Sequence, residues 1–132
     1  MFSHVFIGIS DFERALAFYT PLMAALGLDQ RFCDAARPWA GWQSAGGRPL
    51  FVIAHPHDGE GHHPGNGQMV AFDAATRDIV RAAHATALAH GGSDAGAPGP
   101  RPHYHADYYG AYVRDPDGNK LCVVCHAAAG DA

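Results

Sequence analysis

The sequence predicts an α+β fold in which one βαβββ unit is used twice, and three observations predict it. An order of strand, helix and three strands runs from His4 to His55 and begins again at Gln68. Both helical stretches stop at glycine, Gly27 in the first and Gly91-Gly92 in the second. The closing strands LFVIAH and LCVVCH match most closely of all, Leu50 with Leu121, Phe51 with Cys122, Ala54 with Cys125 and His55 with His126. Two such units packed around a pseudo-twofold axis would set their helix-free faces, two half-barrel sheets, around one shared cavity.

Each element has its own local reason. HVFIGI is apolar on both faces, as a strand covered on each side should be. SDFE follows with the pattern of a capping box, Ser10 at N-cap and Glu13 at N3. The helix after it places Ala15, Leu16, Tyr19, Leu22, Met23 and Leu26 at spacings of three and four, and Pro21 within it predicts a kink or a restart. DQRFCDA, RPWAGWQSA and RPLFVIAH are short strands, with Gly46-Gly47 turning between the last two. The Gly, Pro, His and acidic residues that follow read as a connection. QMVAFDA then restarts the order, Thr76 is placed to cap, and Ile79, Val80, Ala83, Ala87 and Leu88 form the second apolar stripe. SDAGA, YYGAYVRD and KLCVVCH complete the unit, and DPDGN turns between the last two. The expected organisation is a single domain over 1–128, made of module 1–55, linker 56–66 and module 67–128, with a tail at 129–132.

Composition narrows the function. A chain of 132 residues with 48% hydrophobic and 17% charged residues has the means to bury one core and does not read as disordered. The net charge is −4 and the nine Lys and Arg never cluster, which argues against nucleic acid or an anionic membrane as partner. No apolar run approaches the ~20 residues of a membrane span. Asp11 and Glu13 come too early for a secretory leader, and three cysteines cannot all pair, so a reducing cytoplasm is expected. Most of the ten histidines sit in polar connections and read as solvated; His62 and His63 are adjacent and poorly placed to share one metal.

CVVCH, Cys122 to His126, matches a haem-attachment pattern, but strand alternation sends Cys122 and Cys125 to opposite faces. Leu121, Val123 and Cys125 are expected beneath the second helix, and Cys122, Val124 and His126 toward the cavity. Superposing the two strand–helix openings pairs His4 with Met69, Val5 with Val70, Ile7 with Phe72 and Asp11 with Thr76. Val5, Ile7, Ile9, Val70 and Phe72 then pack under their helices, and His4 and Met69 face the other way.

HVFIGISDFERALAFY, GNGQMVAFDAATRDIV with its glycine stop, and RPHYHADYYGAYVRDPDGNK together resemble the glyoxalase/bleomycin-resistance/extradiol-dioxygenase superfamily, the vicinal oxygen chelate proteins. The resemblance runs from Ser3 to about His126. It implies paired βαβββ modules, commonly a homodimer, and a divalent metal held from the first and fourth strands of each module. Carried over, those positions are His4, Phe51, Met69 and Cys122. His4 alone fits; Phe51, Met69 and Cys122 stand where Glu, His and Glu are usual. A hard divalent ion wants oxygen and imidazole donors, so no cofactor is expected although the family implies one. A register slip would offer Gln68 in place of Met69, but it would also turn Val70 and Phe72 away from the helix.

The cavity is therefore expected to bind a small organic molecule. Its lining would be His4, Trp39, Phe51, Met69, Arg101, Tyr104, Tyr108, Tyr109 and Cys122; of Trp39 and Trp42, alternation allows only one to face it. The Tyr and His of RPHYHADYYG equally suit a sheet edge or a dimer contact, and the orientation of His103 and His105 is open. Asp115 and Asp117 read as turn formers. The alternative is a metal-dependent glyoxalase-like lyase or isomerase, related to lactoylglutathione lyase, acting on a small carbonyl or thiol adduct with His4 as general base. Cys122 is either a buried inert thiol or, beside His4, a nucleophile or redox target.

Overall fold

The computed structural model describes residues 1–129; the end of the expected tail, 130–132, lies outside the described residues. β1 (His4–Gly8), α1 (Phe12–Ala25), β2 (Asp29–Asp34), β3 (Trp39–Gln43) and β4 (Leu50–Ala54) form the first module. β5 (Val70–Asp73), α2 (Arg77–Ala89), β6 (Ser93–Pro100), β7 (Tyr109–Arg114) and β8 (Lys120–Cys125) form the second. Each has a four-stranded mixed sheet, ordered β1-β4-β3-β2 and β5-β8-β7-β6, in which only the β1–β4 and β5–β8 pairs are parallel. The sheets are not closed into a barrel. No described helix is long and apolar enough to cross a membrane.

The repeat locates both helix starts better than the capping motif does. N-cap of α1 is Asp11, whose carboxylate accepts from the Arg14 N–H at 3.0 Å, and not Ser10. Its counterpart in the superposition, Thr76, caps α2 by accepting from the Ile79 N–H. Ser10 is drawn away because its backbone N–H and hydroxyl both meet Asp117 of the other module. α1 runs through Pro21 without interruption, and Gly27 (φ 72°) and Gly91 (φ 100°) end the two helices in the left-handed region that glycine tolerates.

The helix faces of both sheets join in one core. Tyr19 lies 5.3 Å from Phe51 and 6.3 Å from Trp42 between ring centroids, and Phe51 meets Phe72 of the second module edge-on at 5.0 Å. α1 packs against α2. The DPDGN turn does more than turn. The buried Asp115 carboxylate accepts from the Tyr19 hydroxyl at 2.6 Å, from Asn119 Nδ2 at 2.8 Å, and from the backbone N–H groups of Asp117 and Asn119. Asp117 takes Arg14 at 2.9 Å, and Asn119 Nδ2 also reaches Gly8 O. A single turn of module two is thus bolted to the start of α1 and the end of β1.

One expected orientation is corrected. Val5 and Phe51 are directly paired across β1 and β4, as are Val70 and Leu121 across β5 and β8. Phe51 therefore corresponds to Leu121, and Val52 is the counterpart of Cys122. Matching LFVIAH to LCVVCH by likeness shifts the pair by one residue, and on a strand one residue reverses the face. Phe51 points beneath α1.

Candidate functional site

The faces turned away from the helices carry the chemistry. On the first sheet this open face holds His4, Phe6, Val52, Ala54 and Trp39. Val52 pairs with Phe6 and Trp39 with Ala54, while the alternate residues Phe51, Ile53 and Trp42 belong to the core. Trp39 packs against Phe32 with the rings tilted at 46° and centroids 4.4 Å apart, under the Arg37 guanidinium. Phe32 fits there because it crosses Gly41, where a Cβ would come within 2.5 Å of its ring. His4 is exposed, and the only side-chain hydrogen bond of its imidazole among the described residues is to the adjacent Ser3 hydroxyl.

On the second sheet the open face is denser. Cys122 lies opposite Tyr112 on β7 and is fully buried. Tyr108 folds back over Gly110, where any Cβ would meet its ring at 2.8 Å. Its hydroxyl then lies 2.9 Å from that of Tyr112 and 3.6 Å from Cys122 Sγ. Burial pushes the Cys122 thiol up from its ordinary value, although the two tyrosines and then Arg101 and Lys120 pull it back. Burial also raises both phenols. All three shifts favour the protonated groups, so the thiolate of Cys122 is disfavoured at neutral pH. Cys125 faces the core and reaches Ala75 O, so the two cysteines of CVVCH do diverge.

The orientation left open by the sequence is resolved: the loop before β7 builds an aromatic run. His103 meets Tyr104 at 4.3 Å, Tyr104 meets Tyr108 at 4.8 Å, and Tyr108 meets His126 at 5.5 Å. His126 stacks with His105, and their facing ring nitrogens are 2.8 Å apart. Tyr109 does not join. It turns to the helix side, where Arg77 and Arg81 lie over its ring and Arg81 donates to its hydroxyl at 2.8 Å.

Between the modules, Met69 stands just before β5 and is 41% exposed. It borders a groove of 280 Å³ shared with Phe6, Gly8, His62, His63 and Lys120. It also borders an apolar cleft of 520 Å³ reached by Val5, Trp42, Phe51 and Phe72. His62 from the linker lies over Gly8 and bonds Asn119 at 2.9 Å.

The expected lining thus divides. Arg101, Tyr104, Tyr108 and Cys122 gather on the second open face, His4 and Trp39 lie on the first, and Met69 lies at the seam. Phe51 and Tyr109 belong to the helix side. Tyr112, Lys120, Phe6 and Val52 were missed, yet all four follow from period-two alternation once Cys122 is placed and β4 is registered through Val5.

The donors do not suit the divalent metal of this kind of fold. At the four corresponding places stand the exposed imidazole of His4, the isopropyl group of Val52, the thioether of Met69 and a thiol enclosed by two phenols. Among the described residues no group of three or more His, Cys, Asp or Glu side chains is positioned to hold a metal ion.

Comparisons with known proteins agree with this architecture. The sequence profile of the Glyoxalase/Bleomycin resistance protein/Dioxygenase superfamily matches residues 1–123. A glyoxalase/bleomycin resistance protein from Albidiferax ferrireducens T118 superposes with TM-score 0.85 at 35% identity, covering 95% of this chain and 98% of that one. A glyoxalase-related enzyme from Fulvimarina pelagi shares the fold at TM-score 0.71 and 19% identity, over 95% and 87% of the two chains. A family enzyme from Burkholderia phytofirmans PsJN does so at TM-score 0.69 and 21% identity, over 95% and 98%. Among curated proteins none matches. With paired βαβββ modules, the family profile over nearly its whole length and a relative more than one-third identical, the chain belongs to the glyoxalase/bleomycin resistance protein/dioxygenase superfamily.

Proposed function

We propose that this chain binds a small organic ligand on the open faces of its sheets, without a catalytic metal. The observation that carries the reading is the Tyr108–Tyr112–Cys122 cluster. Where a chelating carboxylate would be needed, the second module has a buried protonated thiol hydrogen-bonded to phenols. Around it lie the aromatic and few polar groups that organic ligands favour. The lyase or isomerase alternative needs hard donors that Val52, Met69 and Cys122 do not supply.

The binding form is a homodimer. Phe6, 48% exposed, and Met69 leave apolar surface along the open faces, and a second copy would cover it. The compartment is the cytoplasm, because Cys33, Cys122 and Cys125 are all free thiols.

The test is metal analysis of protein purified without added metal, alongside a thermal-shift screen of aromatic compounds with and without EDTA. Stabilisation that EDTA leaves intact supports the reading. Near-stoichiometric divalent ion, with ligand effects abolished by chelation, overturns it.

A further inference from the structure

We propose that the second open face recognises an anionic aromatic ligand, its carboxylate held between Arg101 and Lys120 and its ring laid on Tyr104 and Tyr112. This rests on the reading of the open faces as the ligand surface and names the chemical class they take.

The geometry begins with glycine. β6 reads SDAGAPGP, and its small residues leave room for large neighbours to lie flat across it. A Cβ at Gly96 would come within 2.8 Å of the Tyr112 ring and 3.4 Å of Arg101 Nη2; one at Gly99 would come within 3.1 Å of Arg101 Nη1. Arg101 folds back over the strand through these gaps. Its guanidinium is held by donating to Ala97 O at 2.8 Å and Pro100 O at 3.3 Å. The remaining N–H groups of the fork are left for another acceptor.

Lys120 approaches the same ring from β8. Its Nζ lies 5.6 Å from the Tyr112 centroid, and Arg101 Cζ lies 5.5 Å from it. Neither cation forms an ion pair among the described residues, whereas Arg14, Arg81 and His84 each do. Two cations thus face one ring with no carboxylate paired to either among the described residues. Such a pair gains when an anion enters between them.

A cleft of 240 Å³ joins these groups, lined by Ala95, Gly96, Arg101, His103, Tyr104, Tyr112 and Lys120 and by no acidic residue. That volume suits a single ring with a short acidic arm. Tyr104, 61% exposed, offers the open stacking surface. Arg101, as a planar fork pinned at its base, suits a carboxylate bound through two parallel hydrogen bonds, and Lys120 adds a point charge.

The experiment is calorimetric titration of the full chain with benzoate and phenylacetate, and with neutral benzamide as control, at low and high salt. Arg101→Gln and Lys120→Gln are tested separately, with circular dichroism to verify their fold. The carboxylates should bind more tightly than benzamide and weaken with salt, and each variant should lose about tenfold in carboxylate affinity while leaving benzamide unchanged. Equal binding of benzamide and benzoate, unaffected by either variant, overturns the anion inference and leaves small-molecule binding intact. Absence of binding by both charged and neutral aromatics overturns the two together. Should one variant fail to fold, the other variant and the salt dependence decide.

Discussion

Replacing Tyr19 with Phe removes one oxygen from the joint between the modules and little else. The ring stays seated against Phe18, Trp42 and Phe51, so no cavity forms. What is lost is the 2.6 Å bond to Asp115, whose carboxylate receives four donors in all, two on each oxygen. A buried hydrogen bond to a charged group is worth about 1.5–3 kcal/mol, and the abandoned acceptor cannot turn to water. A loss of about 2 kcal/mol, set against the unfolding entropy of a chain of this size, lowers Tm by about 7 °C. Alkaline pH gives an independent signature. Burial, and next the Asp115 charge, hold the Tyr19 phenol well above its ordinary value. Below pH about 10 both folded and unfolded chains keep this proton and its contribution to stability is complete. Above that, only the unfolded chain releases it, and stability falls by about 1.4 kcal/mol per pH unit. Tyr19→Phe should show a correspondingly shallower alkaline decline. Thermal melts at neutral pH and urea titrations across the alkaline range measure both. A Tm within about 2 °C of the parent, together with an unchanged alkaline slope, would refute the reasoning.

Three further outcomes are expected. Phe51→Ala should cost about 3–5 kcal/mol in urea unfolding, as a ring lost from a core does, and a loss of about 1 kcal/mol or less would contradict its burial against Tyr19 and Phe72. Of the three thiols, only Cys33 is exposed, so a disulfide reagent should label one cysteine quickly in the folded state and all three in denaturant; rapid labelling of Cys122 would contradict its enclosure. Gly92→Ala should destabilise by about 1–3 kcal/mol, because its Cβ would fall 2.8 Å from both Ala87 O and the Phe18 ring, and chemical unfolding reads this directly.

The order of elements was legible because each depends on local pattern: alternation for strands, three–four spacing for helices, glycine where φ is positive. Subtler assignments depended on pairing. Asp11 and Thr76 fell at equivalent places in the repeat and both proved to be caps, although SDFE taken alone points to Ser10. Ser10 is occupied by Asp117, more than a hundred residues away, and no local motif reports that. Phe51 lies on the opposite face of β4 from the one expected, because the likeness of two strand sequences does not set register and the parallel pairing with Val5 does, yet it still borders the cleft beside Met69. Tyr109 and Tyr108 are neighbours on opposite faces, and only the strand boundary separates core from site. Cys122 was placed correctly because β8 is long and its alternation unbroken. Its enclosure was not legible, since that depends on Tyr108 folding over Gly110.

The joint formed by Asp115, Asp117 and Asn119 against Tyr19, Arg14 and Gly8 makes the halves hold one another without the backbone that links them. The exposed stretch 58–61 precedes His62 and contributes nothing to that joint. A chain cut there should stay together as two noncovalently bound pieces, and the pieces made separately should recombine. Recovery of the native circular dichroism spectrum on mixing the two pieces would show that the joint, and not the connection, sets their arrangement.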